Sequence, residues 1–496
     1  MKRIFLTALC LCVAVASGAQ DIKDRAAYQL NIDRGLWYNT SSAAGLGRSD
    51  MASWRDVSLA FGLESGKFTD SWNGRSQTAF SLKGNTLMDI GSFRVAAEVD
   101  VEHNTVRRSK YNNSMYQLDW DMPFFVALNS DELMRWGRTS ADLNVRATTP
   151  LVLDDMFTFG INLGLGARFA NKYASPSAHY SDFTFKLSPS ATMAIDDDNI
   201  VGLAIFYETN PARSVLARGE DATAVAMMQG LGSFNPRSAG GEAGVGTLMF
   251  NTYTVGAGVQ YNRLGDDAEF LADLYLKKGA SSLEAKDVLQ GSVDRFMIGT
   301  KLQALFGAKF NRKLTLDFNY NLNYWLKGVN KTTFANNGII DSKLDYTVYT
   351  GVDESSFDWT FGAGIDFKSL SLKRVVPDGK LTAVHILPYA FLGKNIHLSK
   401  EETLLVKAEL GYNFSVNADY EYSKEETAGN YFVNYMYDDE AEYLSKYFLR
   451  TKLDATYTYQ VNTILSAYAS LGAGWLLPMG FKGSRLAMLL SVGVLF

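Results

Sequence analysis

The stretch LLVKAELGYNFSVNADYEY, residues 404–422, decides the fold class of this chain. Its even-numbered positions are apolar or aromatic, whereas its odd-numbered positions include Lys407, Glu409 and Asp419. Successive side chains of a β-strand point to opposite faces, so the stretch predicts a strand with one apolar and one polar face. A helix would spread the same residues around its circumference, and the helical interpretation therefore fails.

The same two-residue alternation recurs along the rest of the chain. The clearest further segments are 93–101, 157–169, 314–324, 357–367 and 453–461, and weaker ones lie near 54–65, 75–84, 138–150, 182–195, 199–209, 249–264, 268–277, 295–310, 382–394 and 464–476. Their apolar faces are rich in aromatic residues, their polar faces carry charges, and many exceed the roughly five or six residues usual in soluble sheets. The pattern predicts an all-β fold, a transmembrane antiparallel β-barrel with lipid outside and water inside.

The number of strands follows from counting and parity. About seventeen segments alternate, but an antiparallel barrel with both ends on one side of the membrane needs an even number. We expect about fourteen strands, with sixteen as the alternative, and the segments 54–65 and 327–394 are the ones in question. Tight polar connections predict periplasmic turns at 196–199, 265–267 and 311–313. Longer connections predict extracellular loops at 107–137, 210–248, 327–355 and 423–446.

The first nineteen residues are typical of an export signal. Lys2 and Arg3 precede an apolar run over 4–16, and small residues end at Ala19, where we expect cleavage, with Ala16 as the nearby alternative. This division predicts a signal peptide over 1–19, an N-terminal luminal segment over 20–53 and a barrel over 54–496.

Composition supports export and excludes other classes. Cys10 and Cys12 lie inside the signal, so the mature chain holds no disulfide and no cysteine metal site. The formal net charge of −5 comes without a long basic run, which excludes a nucleic-acid partner. No later apolar run approaches the ~20 residues of a membrane helix. We expect the bacterial outer membrane as the location and outer-membrane lipid as a partner.

The C-terminal strand carries a further signal. Phe496, Val494 and Val492 share one face, and Gly493 and Ser491 lie on the other. A terminal aromatic residue in this phase resembles the signal that the outer-membrane barrel-insertion machinery recognises, and this machinery is therefore an expected partner.

Motifs of soluble enzymes are missing. The sequence has no G-x-S-x-G, P-loop or H-E-x-x-H motif. Of the four histidines, His103 shares the lipid-facing phase, His179 and His397 fall in connections, and the phase of His385 is undecided. We expect no catalytic site, no metal site and no cofactor, and therefore no enzyme.

Two of the longer connections have unusual composition. Residues 215–234 contain an apolar, helix-favouring stretch, which indicates either a segment folded into the barrel mouth against a ligand or partner, or a short helix packed on the inner wall. Residues 431–443 interleave tyrosines with acidic residues, which indicates either a site for a glycan, metal or protein, or a loop at the membrane surface.

Residues 34–47 form the most specific local feature, RGLWYNTSSAAGLG. The segment resembles the N-terminal part of the long-chain fatty-acid channel (FadL-like) family, which bears an Asn-Pro-Ala-Gly-like motif and occupies the lumen as a hatch. Ser42 or Ala43 stands where that family has proline. The resemblance implies hatch residues at Trp37, Asn39, Ser42, Ala43, Gly45 and Leu46. In overall style the chain also resembles uncharacterised outer-membrane barrels of Bacteroidota, which often accompany TonB-dependent receptors and surface lipoproteins.

The polar faces predict a wet lumen lined by Arg168, Asp317, Glu409 and Asp419. The leading hypothesis is a passive channel or binding barrel for small solutes, hydrophobic ones included, selected by pore width and lining charge. The alternative is a non-transporting partner of a TonB-dependent receptor, a surface lipoprotein or a secretion complex. An outer-membrane hydrolase ranks third.

Overall fold

A computed structural model gives the architecture of the chain. It describes residue 22 and residues 24–70, 72–112, 115–117, 124–128, 133–173, 177–216, 224–229, 232–238, 246–285, 288–327, 332–352, 356–374, 378–422 and 431–496. The expected signal peptide, 1–19, lies outside the described residues.

Strands dominate the described chain. In chain order they are β1 (Trp54–Gly66), β2 (Ser76–Ile90), β3 (Phe93–Ser109), β4 (Phe124–Leu128), β5 (Met134–Thr148), β6 (Phe157–Lys172), β7 (Ala178–Ala194), β8 (Asn199–Leu216), β9 (Ala224–Gln229), β10 (Gly232–Ser238), β11 (Thr247–Arg263), β12 (Ala268–Ala285), β13 (Val288–Phe306), β14 (Arg312–Lys327), β15 (Thr332–Thr350), β16 (Trp359–Arg374), β17 (Gly379–His397), β18 (Glu402–Tyr422), β19 (Phe448–Asn462), β20 (Leu465–Pro478) and β21 (Arg485–Leu495). All except β4, β9 and β10 join one antiparallel sheet, and β1 pairs with both β2 and β21, which closes it into a barrel.

The barrel has eighteen strands in the described part of the chain, so the expected fourteen or sixteen is wrong. The suspected segment 54–65 is a true strand, and the strand missed in the count is β15, which was assigned to the loop 327–355. Its outer face interrupts the apolar pattern with Gly338 and Ser342, and its inner face carries Ile339. Phe318 of β14 lies opposite Ser342 and compensates for the missing apolar bulk on the outer face. The eighteen strands are the seventeen segments counted from the sequence and β15, and this number is even, as expected.

The outer surface of the barrel is apolar and solvent-accessible. Large exposed side chains occur on the outer face around the wall and include Phe61, Phe80, Phe159, Ile161, Leu203, Ile205, Val255, Leu274, Leu276, Phe361, Leu410, Phe414, Leu490 and Val492. A belt of this kind would aggregate in water and is matched by the hydrocarbon of a membrane. The fold is therefore that of an outer-membrane-type β-barrel.

The two ends of the barrel differ. Short connections at 91–92, 195–198, 264–267, 398–401 and 463–464 lie at the end where β1 begins and β21 finishes, which we call the turn end. The long connections 110–133, 217–246 and 423–447 lie at the opposite end, the loop end. Among the described residues, no helix is long and apolar enough to cross a membrane.

Two regions of the loop end depart from the sequence expectations. The stretch 215–234 does not form the expected helix where it is described: β8 continues to Leu216, and β9 pairs with β10 and β4 in a three-stranded sheet. Residues 217–223 lie outside the described residues. The aromatic and acidic stretch 431–443 is helical, and it lies in a helix that spans Tyr431–Leu444.

Candidate functional site

The segment before the first barrel strand folds inside the turn end of the barrel. Its first element, helix α1 (Arg25–Arg34), begins where the Asp24 carboxylate accepts a hydrogen bond from Ala27 N at 2.7 Å and ends at Gly35. Two short 3₁₀ turns, Trp37–Asn39 and Ala44–Arg48, follow. We call residues 24–53 the plug; the helix Tyr431–Leu444 is α2.

The plug packs on the wall through apolar side chains that are almost completely buried. Leu36 and Trp37 contact wall residues of β8, β12 and β13, whereas Tyr38 and Leu46 cluster with Trp54 at the start of β1. Such burial of large apolar groups favours the seated plug.

The six expected hatch residues all lie in the plug. Trp37 donates its indole N–H to Asn262 Oδ1 at 3.3 Å, and Asn39 bonds inside the plug to the Ile32 carbonyl at 3.2 Å. Three members are almost completely buried, namely Ser42, Ala43 and Leu46, and Leu46 packs in one cluster with wall residues. Gly45 lies beneath the Trp37 ring, where any side chain would collide with the indole. Their role as a hatch stays a prediction.

A buried carboxylate on the wall holds the plug at Ser41. Asp273 of β12 accepts hydrogen bonds from Ser41 N at 2.7 Å and from Ser41 Oγ at 2.8 Å, and it is only 3% exposed. Gln260 of β11 donates to both partners, at 2.9 Å to Ser41 Oγ and 2.8 Å to Asp273 Oδ1. Hydrogen bonds to a charged acceptor are the stronger kind. The sequence analysis missed this anchor, although Asp273 stands in the polar phase of its strand.

A second anchor sits three residues further along. Ala44 N donates to Ser190 Oγ at 2.9 Å, and the Ala44 carbonyl accepts from Thr158 Oγ1 at 2.9 Å and Thr148 Oγ1 at 3.3 Å. Gly160 of β6 makes this contact possible, because a side chain there would overlap the backbone of Ala44. The wall is therefore shaped to receive the plug backbone.

A third anchor combines an aromatic ring with an ion pair. Tyr38 Oη donates to Glu98 Oε1 at 3.1 Å, and Arg146 donates to the Tyr38 carbonyl at 2.6 Å and to Glu98 at 3.2 Å. The guanidinium carbon of Arg146 lies 4.4 Å from the centre of the Tyr38 ring. Burial raises the pKa of Tyr38, so its hydroxyl keeps the proton that it donates.

Above the plug the lumen opens into a first chamber of about 810 Å³. Four basic and five acidic residues line it: Lys83, Arg168, Lys186, Arg295, Glu98, Asp100, Asp142, Asp182 and Glu208. Lys83 lies 3.0 Å from Asp100, and Lys186 lies 3.8 Å from Glu208. The lining is therefore mixed in sign and close to balanced.

A second chamber, of about 700 Å³, lies along β15 to β19. Arg450 at its centre pairs with Asp366 and with Glu409, each at 2.9 Å, and Lys452 lies 3.3 Å from Glu409. His385 also lines this chamber and its Nδ1 lies 3.0 Å from Asn413 Nδ2, which settles its undecided phase as luminal.

The expected lumen residues do not form one cluster. Arg168 faces the first chamber, Glu409 faces the second, and Asp317 lies on the inner face of β14, where it accepts from Asn319 Nδ2 at 2.9 Å. Asp419 is exposed on the outer face, so its expected place in the lumen is wrong. Asn417 adopts a left-handed φ of 63° at a register shift, and this bulge reverses the alternation beyond it, so that Asp419 pairs with Thr382.

The loop end of the lumen is narrowed by apolar packing. Inward-facing residues of many strands form one cluster with Trp72, Tyr111 and Met115 from the connections. Helix α2 adds to this layer, because Ala441 and Leu444 pack against the cluster. The chambers thus lie between the plug and an apolar layer.

No group of three or more His, Cys, Asp or Glu side chains is placed to hold a metal ion in the described part of the chain. His103 is exposed on the outer face beside Thr139, at 2.9 Å. His179 and His397 belong to β7 and β17, which corrects their assignment to connections.

Two similar solved structures are distant from the chain in sequence. Among solved structures it is similar to the ferric yersiniabactin uptake receptor FyuA from Yersinia pestis, at 8% identity over 90% of this chain and 80% of that chain, with a TM-score of 0.42. It is also similar to a Pseudomonas aeruginosa FadL homologue, at 9% identity over 97% and 96% of the two chains, with a TM-score of 0.35.

Sequence comparison gives the family directly. No curated protein matches the chain. The model of a family of unknown function, DUF6850, matches residues 43–496. The chain therefore belongs to the DUF6850 family.

Proposed function

We propose that this protein is a gated conduit of the outer membrane, in which the plug closes the periplasmic end and the chambers bind a small polar solute on its way through. The observation that carries the proposal is the plug itself: one helix and two short turns, held to the wall by apolar packing, hydrogen bonds and an ion pair, beneath chambers that contain charges of both signs. When the plug leaves the barrel, water can replace the plug as the hydrogen-bond partner of these wall residues.

The lining of the chambers favours a particular solute class. Fixed charges of both signs surround the first and second chambers, so a solute that carries both an acidic and a basic group finds partners on each side. This lining disfavours the hydrophobic solutes that the resemblance to fatty-acid channels implies, because a purely apolar molecule would leave the wall charges unpaired. The role involves positioning and passage, and no bond chemistry.

Orientation follows from the ends of the barrel. Short turns face the periplasm and long loops face the exterior in outer-membrane barrels. The plug would then close the periplasmic exit, and the apolar layer with α2 would restrict entry from outside. Export by the signal peptide over 1–19 is part of this proposal.

Osmotic swelling of liposomes tests the conduit. The full-length protein and a variant lacking residues 24–48 are reconstituted, and swelling is followed in arginine, as a small solute with both charges, and in a neutral sugar of similar mass. We expect slow swelling with the full-length protein and fast swelling with the variant, faster in arginine than in sugar.

Folding of the shortened variant is checked independently. A folded barrel runs faster on an unheated denaturing gel than on a heated one. A variant that shows this shift, yet admits neither solute faster than the full-length protein does, contradicts the proposal.

A further inference from the structure

Two arginines lie side by side on the outer wall at the loop end. Arg107 of β3 and Arg135 of β5 are direct cross-strand partners in the register of the sheet. Both side chains are exposed, and both alternate with buried neighbours, Val106 and Trp136, that face the lumen. The two cations therefore lie side by side on the surface that faces the membrane.

A β-bulge follows Arg107 at the end of β3. Arg108 has a left-handed φ of 60°, and the register shifts between Arg107 and Ser109. The bulge turns Arg108 away from the outer wall, because Arg108 lines a pocket with Asp439 and Glu442 of α2. A left-handed conformation is unfavourable for a residue with a side chain, and strain of this sort persists where the surroundings or a function require it.

The arginine rim is defined as Arg107 and Arg135. Within the described residues, neither of the two forms an ion pair, and the ring contact of Arg135 is with Tyr173, whose ring centre lies 5.5 Å from the guanidinium carbon. Like charges directly opposite each other on neighbouring strands destabilise a sheet. An anion from outside the chain would remove this cost.

The height of the arginine rim on the barrel wall indicates which layer of the membrane would supply such an anion. Phe80 lies beside His103, and Phe169 lies beside Thr139, and these two exposed rings mark the upper edge of the apolar belt. Arg107 is four residues beyond His103 along β3, or ~13 Å at the rise of a strand. With the usual tilt of barrel strands of ~40°, the rim stands ~10 Å above the belt, at the level of lipid headgroups.

We propose that the arginine rim binds the phosphate of an anionic lipid headgroup in the leaflet at the loop end. The planar guanidinium donates paired N–H groups that match the oxygens of a phosphate, and Arg107 and Arg135 present two of them side by side. The lipid phosphate would neutralise the repulsion between Arg107 and Arg135 and fix the barrel at a set depth in the membrane. This inference goes beyond the conduit and does not depend on it.

Thermal unfolding of the full chain in a non-ionic detergent tests the proposal. Unfolding is measured alone and with added phosphatidylglycerol, phosphatidylcholine or inorganic phosphate, for the wild type and for Arg107→Gln/Arg135→Gln. The matched control is Arg213→Gln/Lys278→Gln, which removes two exposed cations on the outer wall that are not neighbours.

The outcomes separate a lipid site from general charge effects. Without lipid, the melting temperature of the rim variant should equal or exceed that of the wild type, because the variant lacks the repulsion between Arg107 and Arg135. Phosphatidylglycerol should stabilise the wild type and the control, and the rim variant should need about tenfold more of it, as expected when charge-assisted hydrogen bonds are lost. Equal stabilisation by phosphatidylcholine or by inorganic phosphate, or an unchanged response of the rim variant, overturns the proposal.

Discussion

Replacing Asp273 with alanine is a direct test of whether the plug gates the lumen. The Asp273 carboxylate accepts two hydrogen bonds from Ser41 of the plug, at 2.7 and 2.8 Å. A hydrogen bond to a charged group contributes about 1.5–3 kcal/mol, so the loss of two destabilises the seated plug by about 3 kcal/mol at the lower end. Because about 1.4 kcal/mol corresponds to a factor of ten, the ratio of displaced to seated plug should rise roughly a hundredfold.

Single-channel recording in planar bilayers measures this ratio as the fraction of time spent in a conducting state. We expect Asp273→Ala to open far more often than the wild type. The matched control is Asp317→Ala, which removes a carboxylate from the inner face of β14 that bonds to Asn319 and not to the plug. This control should keep the wild-type open fraction.

A reversible lock identifies the plug as the moving part. Ala44 N lies 2.9 Å from Ser190 Oγ, so a pair of cysteines at these two neighbouring positions is chosen to link the plug to the wall. The described part of the chain holds no other cysteine, because the only two are Cys10 and Cys12. The pair, added to Asp273→Ala, should silence the channel when oxidised and restore it when reduced. An Asp273→Ala channel that opens no more than the wild type, or opens equally when locked, refutes gating by the plug.

Two more substitutions probe the wall and a turn. Gly160→Val should push Ala44, and with it the plug, away from the wall and make the plug sensitive to trypsin. Gly474→Val, at an inward position with space around it, should leave the plug protected, and equal cleavage of the two variants contradicts the steric argument. In the turn after β7, hydrogen bonds from Asn199 hold the pKa of Asp196 below its usual value. A carboxylate whose pKa is lowered in the folded state stabilises the fold at pH values above its ordinary pKa of about 4. This stabilisation is lost as the pH falls through the pKa of the folded state. Asp196→Asn should therefore melt below the wild type at about pH 6 and equal it at about pH 2, and a constant difference would reject the assignment.

The wall was predictable where one face of a strand meets lipid without interruption. Strand β18 shows this at residues 404–416, where every second residue is apolar. The rule failed at β15, because Phe318 on the neighbouring strand supplies the bulk that Ser342 lacks. It also failed beyond Asn417, because a bulge reverses the phase of Asp419, and a bulge leaves little trace in a pattern of alternation.

The site was less accessible to sequence analysis. The resemblance over residues 34–47 indicated a luminal segment, but its wall partners are far apart in the chain: Ser41 and Asp273 are separated by 232 residues. Local patterns carry no information on such pairings. The helix Tyr431–Leu444 escaped prediction for another reason, since its tyrosines and acidic residues favour neither a helix nor a surface loop strongly.

The seam between β1 and β21 has a consequence for assembly. Arg55 and Phe496 exchange two backbone hydrogen bonds, at 2.6 and 2.9 Å. The first and last strands of the wall can therefore pair only after all the strands between them have been inserted. A contact between such distant segments forms slowly. Until it forms, two unpaired strand edges would face hydrocarbon. We therefore expect a half-inserted chain to require a helper that shields both edges, and shortening either strand should harm biogenesis more than it harms the finished barrel.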